Sequence, residues 1–181
     1  MALITITGPA AEPVTAAEVK TAARIDGAEF DSQISMLITA FRLQAEHQQG
    51  RRFITQTVEL VLDEFPSDGD VDLMLPNVKS ITSVKYFDDD GVQQTLDPAA
   101  YALDSDSAPG WLLVVDSWPS TKDAANAVRI RYVAGYGDAP ADVPDNIRSW
   151  IIAQVCAAID KQTPAAWLDR LLDAGMVHQY G

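Results

Sequence analysis

The stretch that decides the fold is Val128-Arg129-Ile130-Arg131-Tyr132-Val133. Its apolar side chains alternate with two arginines, which is the period of a β-strand with one buried and one solvated face. The alternation stops at Gly135-Tyr136-Gly137, and a helical period begins after Pro144. The stretch therefore predicts the last strand of a β region, immediately before the chain returns to helices.

Upstream of this strand, the sequence continues to predict strands as far back as residue 54. Short alternating runs lie at about 55–62, 71–75, 78–87 and 92–96, and a short apolar run at 111–115. The tetrapeptide Asp88-Asp89-Asp90-Gly91 is a hairpin signal between two of these runs. We expect a compact sheet within residues 54–134, arranged as a sandwich or a small barrel.

Helices are predicted on both sides of the strands. Thr15 and Glu18 have the spacing of a capping box, and a longer helix from about Ala28 to Gln49 has an apolar stripe at Ile34, Leu37, Ile38, Phe41 and Ala45. After the strands, one helix is expected from Pro144 to about Lys161, and a short one after Thr163-Pro164.

Together these segments predict an α+β fold. Two N-terminal and two C-terminal helices form a helical core, and a mainly antiparallel β domain is inserted between them. The corresponding ranges are 1–53, 54–143 and 144–181. A chain of 181 residues with 48% hydrophobic and 22% charged residues has the composition of a globular protein.

The net charge of −13 is concentrated in the predicted β domain, where residues 55–143 carry sixteen acids and five bases. Because an acidic surface repels phosphate, the charge argues against tight or sequence-specific nucleic-acid binding.

No apolar run approaches the roughly 20 residues of a membrane span. No basic residue precedes the apolar residues of the N-terminus, so we expect no signal peptide, no membrane association and synthesis in a cytoplasm.

The sequence contains no motif that predicts catalysis, a cofactor or a metal centre. The run Asp68-Gly69-Asp70-Val71-Asp72 resembles the start of a calcium loop, but Leu73 and Lys79 stand where an EF-hand needs glycine and glutamate. We interpret it as a solvated acidic turn, with a weak cation site as the alternative.

Because the sequence contains no catalytic motif, the chain is not expected to be an enzyme. Two rival functions stay open: a small intracellular cation- or ligand-binding protein with an acidic β domain, and an enzyme using clustered carboxylates.

Short motifs along nearly the whole chain carry a family resemblance. Taken in order, the chain resembles the head–tail connector (adaptor) proteins of long-tailed bacteriophages and gene transfer agents. The motifs are Val14-Thr15-Ala16-Ala17-Glu18-Val19-Lys20, Gly50-Arg51-Arg52-Phe53-Ile54, Leu62-Asp63-Glu64-Phe65-Pro66, Ile81-Thr82-Ser83-Val84-Lys85-Tyr86 and Tyr132-Val133-Ala134-Gly135-Tyr136-Gly137.

The resemblance implies a structural subunit of the virion neck. Such subunits form a ring of about twelve copies, a closed assembly with two different contact faces per subunit. The ring lies between the portal protein and a stopper or tail-completion protein, and double-stranded DNA passes through its centre. Rings of this kind often assemble only on their template, which allows the isolated chain to be a monomer. We expect the helical part to contact the portal and the β domain to face outward or toward the stopper.

Large apolar side chains in the C-terminal helices and tail are the candidate contacts with a neighbouring copy or the portal, because aromatic residues anchor interfaces. Burial within the chain's own core is the alternative. The candidates are Trp150, Trp167, Leu171, Leu172 and Tyr180.

Overall fold

The computed structural model describes residues 1–67 and 69–173, and it divides into two compact units. A β unit consists of Met1–Gly8 and Thr55–Gly135. A helical unit consists of Pro9–Ile54 and the chain from Tyr136 onward. The predicted α+β class is confirmed. None of the helices within the described residues is long and apolar enough to cross a membrane.

The β unit contains two antiparallel sheets. The five-stranded sheet has the order β1-β2-β8-β4-β5, and the three-stranded sheet has the order β3-β7-β6. The strands are β1 (Ala2–Thr7), β2 (Gln56–Leu62), β3 (Val71–Asp72), β4 (Val78–Phe87), β5 (Gln93–Thr95), β6 (Tyr101–Asp104), β7 (Trp111–Val114) and β8 (Val128–Ala134).

The two sheets share one hydrophobic core, as in a β-sandwich. Ile130 and Tyr132 of β8 face this core, whereas Arg129 and Arg131 between them face the other way. The Tyr132 hydroxyl donates a hydrogen bond to the carbonyl oxygen of Leu73, which satisfies a polar group that would otherwise be costly to bury. The alternation read from the sequence of β8 therefore describes its two faces correctly.

The helical unit contains α1 (Ala16–Ala23), α2 (Asp31–Gln49), α3 (Asp145–Ile159) and α4 (Arg170–Asp173). The predicted capping box is present: the Glu18 N–H donates to Thr15 Oγ1 at 3.2 Å, and the Thr15 N–H donates to Glu18 Oε2 at 2.7 Å. Gly50 ends α2 with a φ of 62°, a left-handed conformation that glycine adopts without steric cost. The apolar faces of the helices bury a common core.

Three features differ from the sequence-based expectation. Residues 2–7 form the edge strand β1 of the five-stranded sheet, although the range 1–53 was assigned to the helical part. Residues 136–143 belong to the helical unit rather than to the β domain, because the Tyr136 N–H bonds the Phe53 carbonyl at 2.9 Å and Gly137 bridges to Ile54. The strand β6 was also not predicted. The first two differences depend on pairing between segments that lie far apart in sequence, whereas β6 pairs with β7, the next strand along the chain.

Candidate interaction surfaces

Trp150 lies in the core of the helical unit and has no exposed surface. Its ring meets Phe41 of α2 edge-on, with centroids 6.0 Å apart, and its indole N–H bonds Asp169 Oδ1 at 3.3 Å. Trp150 is therefore a structural core residue of this chain. Its large apolar surface is already used by α2 and the C-terminal segment, so it does not offer a surface to a partner.

The C-terminal segment is held on the helical unit by its backbone. The Gln49 side-chain amide donates to the carbonyl oxygen of Leu172 at 2.6 Å, and the Asn146 amide donates to that of Leu171 at 2.5 Å. The Leu172 side chain is buried, and Leu171 is partly buried against the same core. These two leucines, proposed from the sequence as partner contacts, are thus mainly intrachain contacts in the isolated molecule.

Trp167 is the one predicted contact residue among the described positions that keeps a large exposed apolar surface. Its side chain is 61% exposed, in the 3₁₀ turn Ala166–Asp169 immediately before α4. Trp150 and Trp167 lie on similar apolar patterns, so the sequence did not separate the buried tryptophan from the exposed one. Tyr180 lies outside the described residues, and its contact stays a prediction.

Other exposed apolar side chains of the helical unit were missed by the sequence analysis. Met36 and Leu43 on α2 are 67% and 55% exposed, and Phe30 before α2 is 41% exposed. Met36 and Leu43 are seven residues apart, which places them on the same face of the helix. The signal was present in the sequence, as apolar residues outside the buried stripe of α2.

A buried ion cluster holds the end of α2 and the segment that follows it. Arg42 bonds Glu12 through Nε at 2.7 Å and Glu46 through Nη1 at 3.1 Å, and Glu46 Oε1 accepts the Phe53 N–H at 3.0 Å. Burial raises the pKa of Glu46, although the Phe53 hydrogen bond and the charge of Arg42 act in the opposite direction. The cluster is fully engaged in intrachain bonds, so we assign it a structural role.

On the β unit, Glu59 lies between two arginines of the neighbouring strand. Arg129 Nη1 bonds Glu59 Oε1 at 2.9 Å, and Arg131 bonds Oε2 through Nε at 3.1 Å and Nη2 at 2.8 Å. Burial alone would raise the pKa of Glu59, but the hydrogen bonds and charges of Arg131 and Arg129 outweigh it and lower the pKa. The carboxylate therefore stays ionised near neutral pH and orients both guanidinium groups.

Six of the described acids of the β unit accept backbone N–H bonds, most of them in turns. Asp88 accepts hydrogen bonds from Gln94 and the Val92 N–H, which lower its pKa. Side chains of Asp63, Asp70, Asp72, Asp97 and Asp104 accept backbone N–H bonds in the same way. Within residues 1–67 and 69–173, no group of three or more His, Cys, Asp or Glu side chains is placed to hold a metal ion. Asp68, the first acid of the calcium-like run, lies outside this part of the chain.

A surface groove between α1 and the start of α2 has a volume of about 570 Å³. Its charged lining residues include Lys20, Arg24, Asp26 and Asp31, and Lys20 pairs with Asp31 at 2.7 Å. A carboxylate enzyme needs acids that converge on a water-excluding pocket. The open groove, with one acid already paired to a lysine, lacks that arrangement.

The chain is similar over its full length to chains in three structures of gene transfer agent (GTA) particles, covering 98% of each of those chains. They are the virion of the native particle (17% identity, TM-score 0.85), the neck of the empty particle computed with C6 symmetry (16%, 0.82) and the neck of the native particle computed with C12 symmetry (17%, 0.81). No curated protein sequence gives a significant match.

The structural similarity is at low sequence identity and concerns the fold. Family membership comes from a separate finding: the family model described as head completion protein matches residues 12–145, about three quarters of the chain. The match spans α1, α2 and the whole of β2 to β8, and it confirms the role in head–tail connection that the sequence motifs implied. The chain belongs to the head completion protein family.

Proposed function

We propose that this chain is a non-catalytic subunit of a ring in the neck of a tailed phage or phage-like particle. The observation that carries the proposal is the family match over residues 12–145, together with a fold that resembles GTA chains from end to end. Two of those structures are particle necks computed with C12 and C6 symmetry, which supports a ring of about twelve copies for this chain as well.

The proposed partners are the portal protein on one side of the ring and a stopper or tail-completion protein on the other. The helical unit offers exposed apolar side chains for such contacts, namely Trp167, Met36, Leu43 and Phe30. Exposed aromatic and large apolar residues are typical anchors of protein interfaces. We propose that the helical unit carries the portal-side contact.

The charge of the chain suits a channel for DNA. The sequence has 26 acids and 13 bases, and tight DNA binding requires many basic contacts that release counterions from the phosphates. A ring with excess negative charge would let double-stranded DNA pass without retaining it. We therefore propose that DNA passes through the ring and is not specifically bound.

Complementation tests this proposal. Particles assembled without this chain should contain DNA-filled heads that do not join tails, and purified wild-type chain should restore tail attachment. Trp167→Ala should bind heads at least about tenfold more weakly, since loss of a central aromatic anchor costs roughly 2 kcal/mol or more. Trp167→Phe, which keeps an aromatic side chain, is the matched control. Normal tail attachment in the absence of the chain would contradict the proposed function.

A further inference from the structure

The outer face of the five-stranded sheet concentrates positive charge on a unit that is otherwise acidic. Pairing between β2, β8 and β4 places Glu59 opposite Arg131, and Arg129 opposite Lys85. These four side chains lie on the face that points away from the sandwich core, because the intervening residues of each strand face that core. The face has three bases and one acid, whereas the whole β unit has fourteen acids and five bases.

The two arginines are fixed in position and still accessible. Glu59 is 6% exposed, but the side chains of Arg129 and Arg131 are 41% and 40% exposed. Arginine has five N–H donors, and the bonds to Glu59 use one donor of Arg129 and two of Arg131. The remaining donors can bind a carboxylate of another molecule with little further loss of side-chain freedom.

The outer face of the three-stranded sheet has the opposite charge. Asp72 and Asp104 both pair with Trp111, so a row of aspartate, tryptophan and aspartate crosses the three strands. Leu112, the next residue of β7, is fully buried in the core, which places the row on the other side of the sheet. Asp104 is held by the Ser107 hydroxyl at 2.6 Å, so its carboxylate is also fixed.

These two faces are the two outer surfaces of one sandwich, and a closed ring needs two different, complementary faces on every subunit. We infer that the positive face of one copy, formed by Lys85, Arg129 and Arg131, packs against the negative face of the next copy, formed by Asp72, Trp111 and Asp104. A guanidinium group can bond the carboxylates of this row and stack on the indole between them. The inference rests on the proposed ring and names the contact that closes it.

A DNA backbone is the other polyanion that could meet the positive face. Three bases accompanied by an ionised glutamate offer a net charge of only +2, while proteins that hold DNA neutralise about 6–10 phosphates. The negative face of the same unit would also repel DNA. The complementary face on a second copy is therefore the better match.

Charge variants test the inference. Ser83→Glu/Lys85→Glu makes the positive face negative without removing the partners of Glu59. Asp72→Asn/Asp104→Asn/Ala102→Lys makes the negative face positive, and asparagine retains an oxygen that can accept the turn N–H bonds. A third variant combines all five changes, so that both faces are inverted and complementary again. Ala124→Glu/Ala125→Glu adds two negative charges in the exposed loop before β8, outside the six residues of the two faces, and serves as the control.

Ring formation on portal-bearing heads is the readout, measured as copies of the chain bound per head. Each single-face variant should bind at least about tenfold fewer copies than the wild type, because like charges across an interface are strongly unfavourable. The chain with both faces inverted should recover to within about threefold of the wild type, and the control should bind like the wild type.

The outcomes separate this inference from the proposed function. If the single-face variants bind like the wild type, or if the chain with both faces inverted binds as poorly as they do, the inference is overturned and the ring proposal stands. If the wild-type chain forms no ring on heads, both are overturned. A loss of binding to a short DNA duplex by Ser83→Glu/Lys85→Glu, with normal rings, would assign the positive face to DNA and overturn the inference.

Discussion

Replacing Trp150 by alanine should lower the free energy of unfolding of the helical unit by about 3–5 kcal/mol. The side chain is fully buried, and a tryptophan buries roughly 150–250 Å² on folding. At about 25 cal/mol per Å² this area corresponds to about 4–6 kcal/mol, which is an upper bound because unfolded chains already bury part of their apolar surface. Asp169, which accepts the indole N–H, is exposed and regains water, so its lost hydrogen bond adds little.

Trp167→Ala is the matched control, since it removes the same side chain from a position that is 61% exposed. Its unfolding free energy should stay within about 0.5 kcal/mol of the wild-type value. Urea denaturation followed by circular dichroism at the helical band measures both variants in the full-length chain. A loss below about 1 kcal/mol for Trp150→Ala, or equal losses for the two variants, would refute the assignment of Trp150 to the core and of Trp167 to the surface.

Three further predictions concern the packing and charge of each unit. Because the pKa of Glu59 is lowered on folding, its stabilising contribution is present above the ordinary pKa of glutamate and is lost as the pH falls through the lowered value. The melting temperature of Glu59→Gln should therefore fall less than that of the wild type as the pH is lowered into the acid range. An equal fall for the two proteins would contradict this. Arg42→Met leaves Glu46 buried without its arginine and should cost about 3–5 kcal/mol in urea denaturation, with Arg42→Lys less harmful; wild-type stability would show that the pair is dispensable. Gly137→Ala places a Cβ against the Asp142 side chain and should cost about 1–3 kcal/mol, seen as a lower melting temperature by calorimetry.

Local signals made much of the fold predictable. The capping box at Thr15 and Glu18, the left-handed Gly50 and the alternation of β8 each depend on residues that are close in sequence, and each appears as expected. The edge strand β1 was missed because its residues acquire their role only by pairing with β2, about 55 residues later in the chain. No pattern within residues 2–7 indicates which sheet they join.

The candidate contacts show the same limit. Trp150 and Trp167 are both tryptophans beside apolar helical residues, and only the packing of Phe41 and the C-terminal segment onto Trp150 distinguishes them. Likewise, the sequence shows that Arg129 and Arg131 face away from the core, but not that Glu59 lies between them. That placement follows from the register of β2 against β8.

Cryo-electron microscopy of portal-bearing heads mixed with the purified chain would show whether this protein builds a ring at the head–tail junction. We expect added density beneath the portal that resolves into a closed ring of about twelve copies, each with the sandwich and helical unit described here. Heads whose portal end gains no density, or chains bound elsewhere on the capsid as separate monomers, would contradict the assignment.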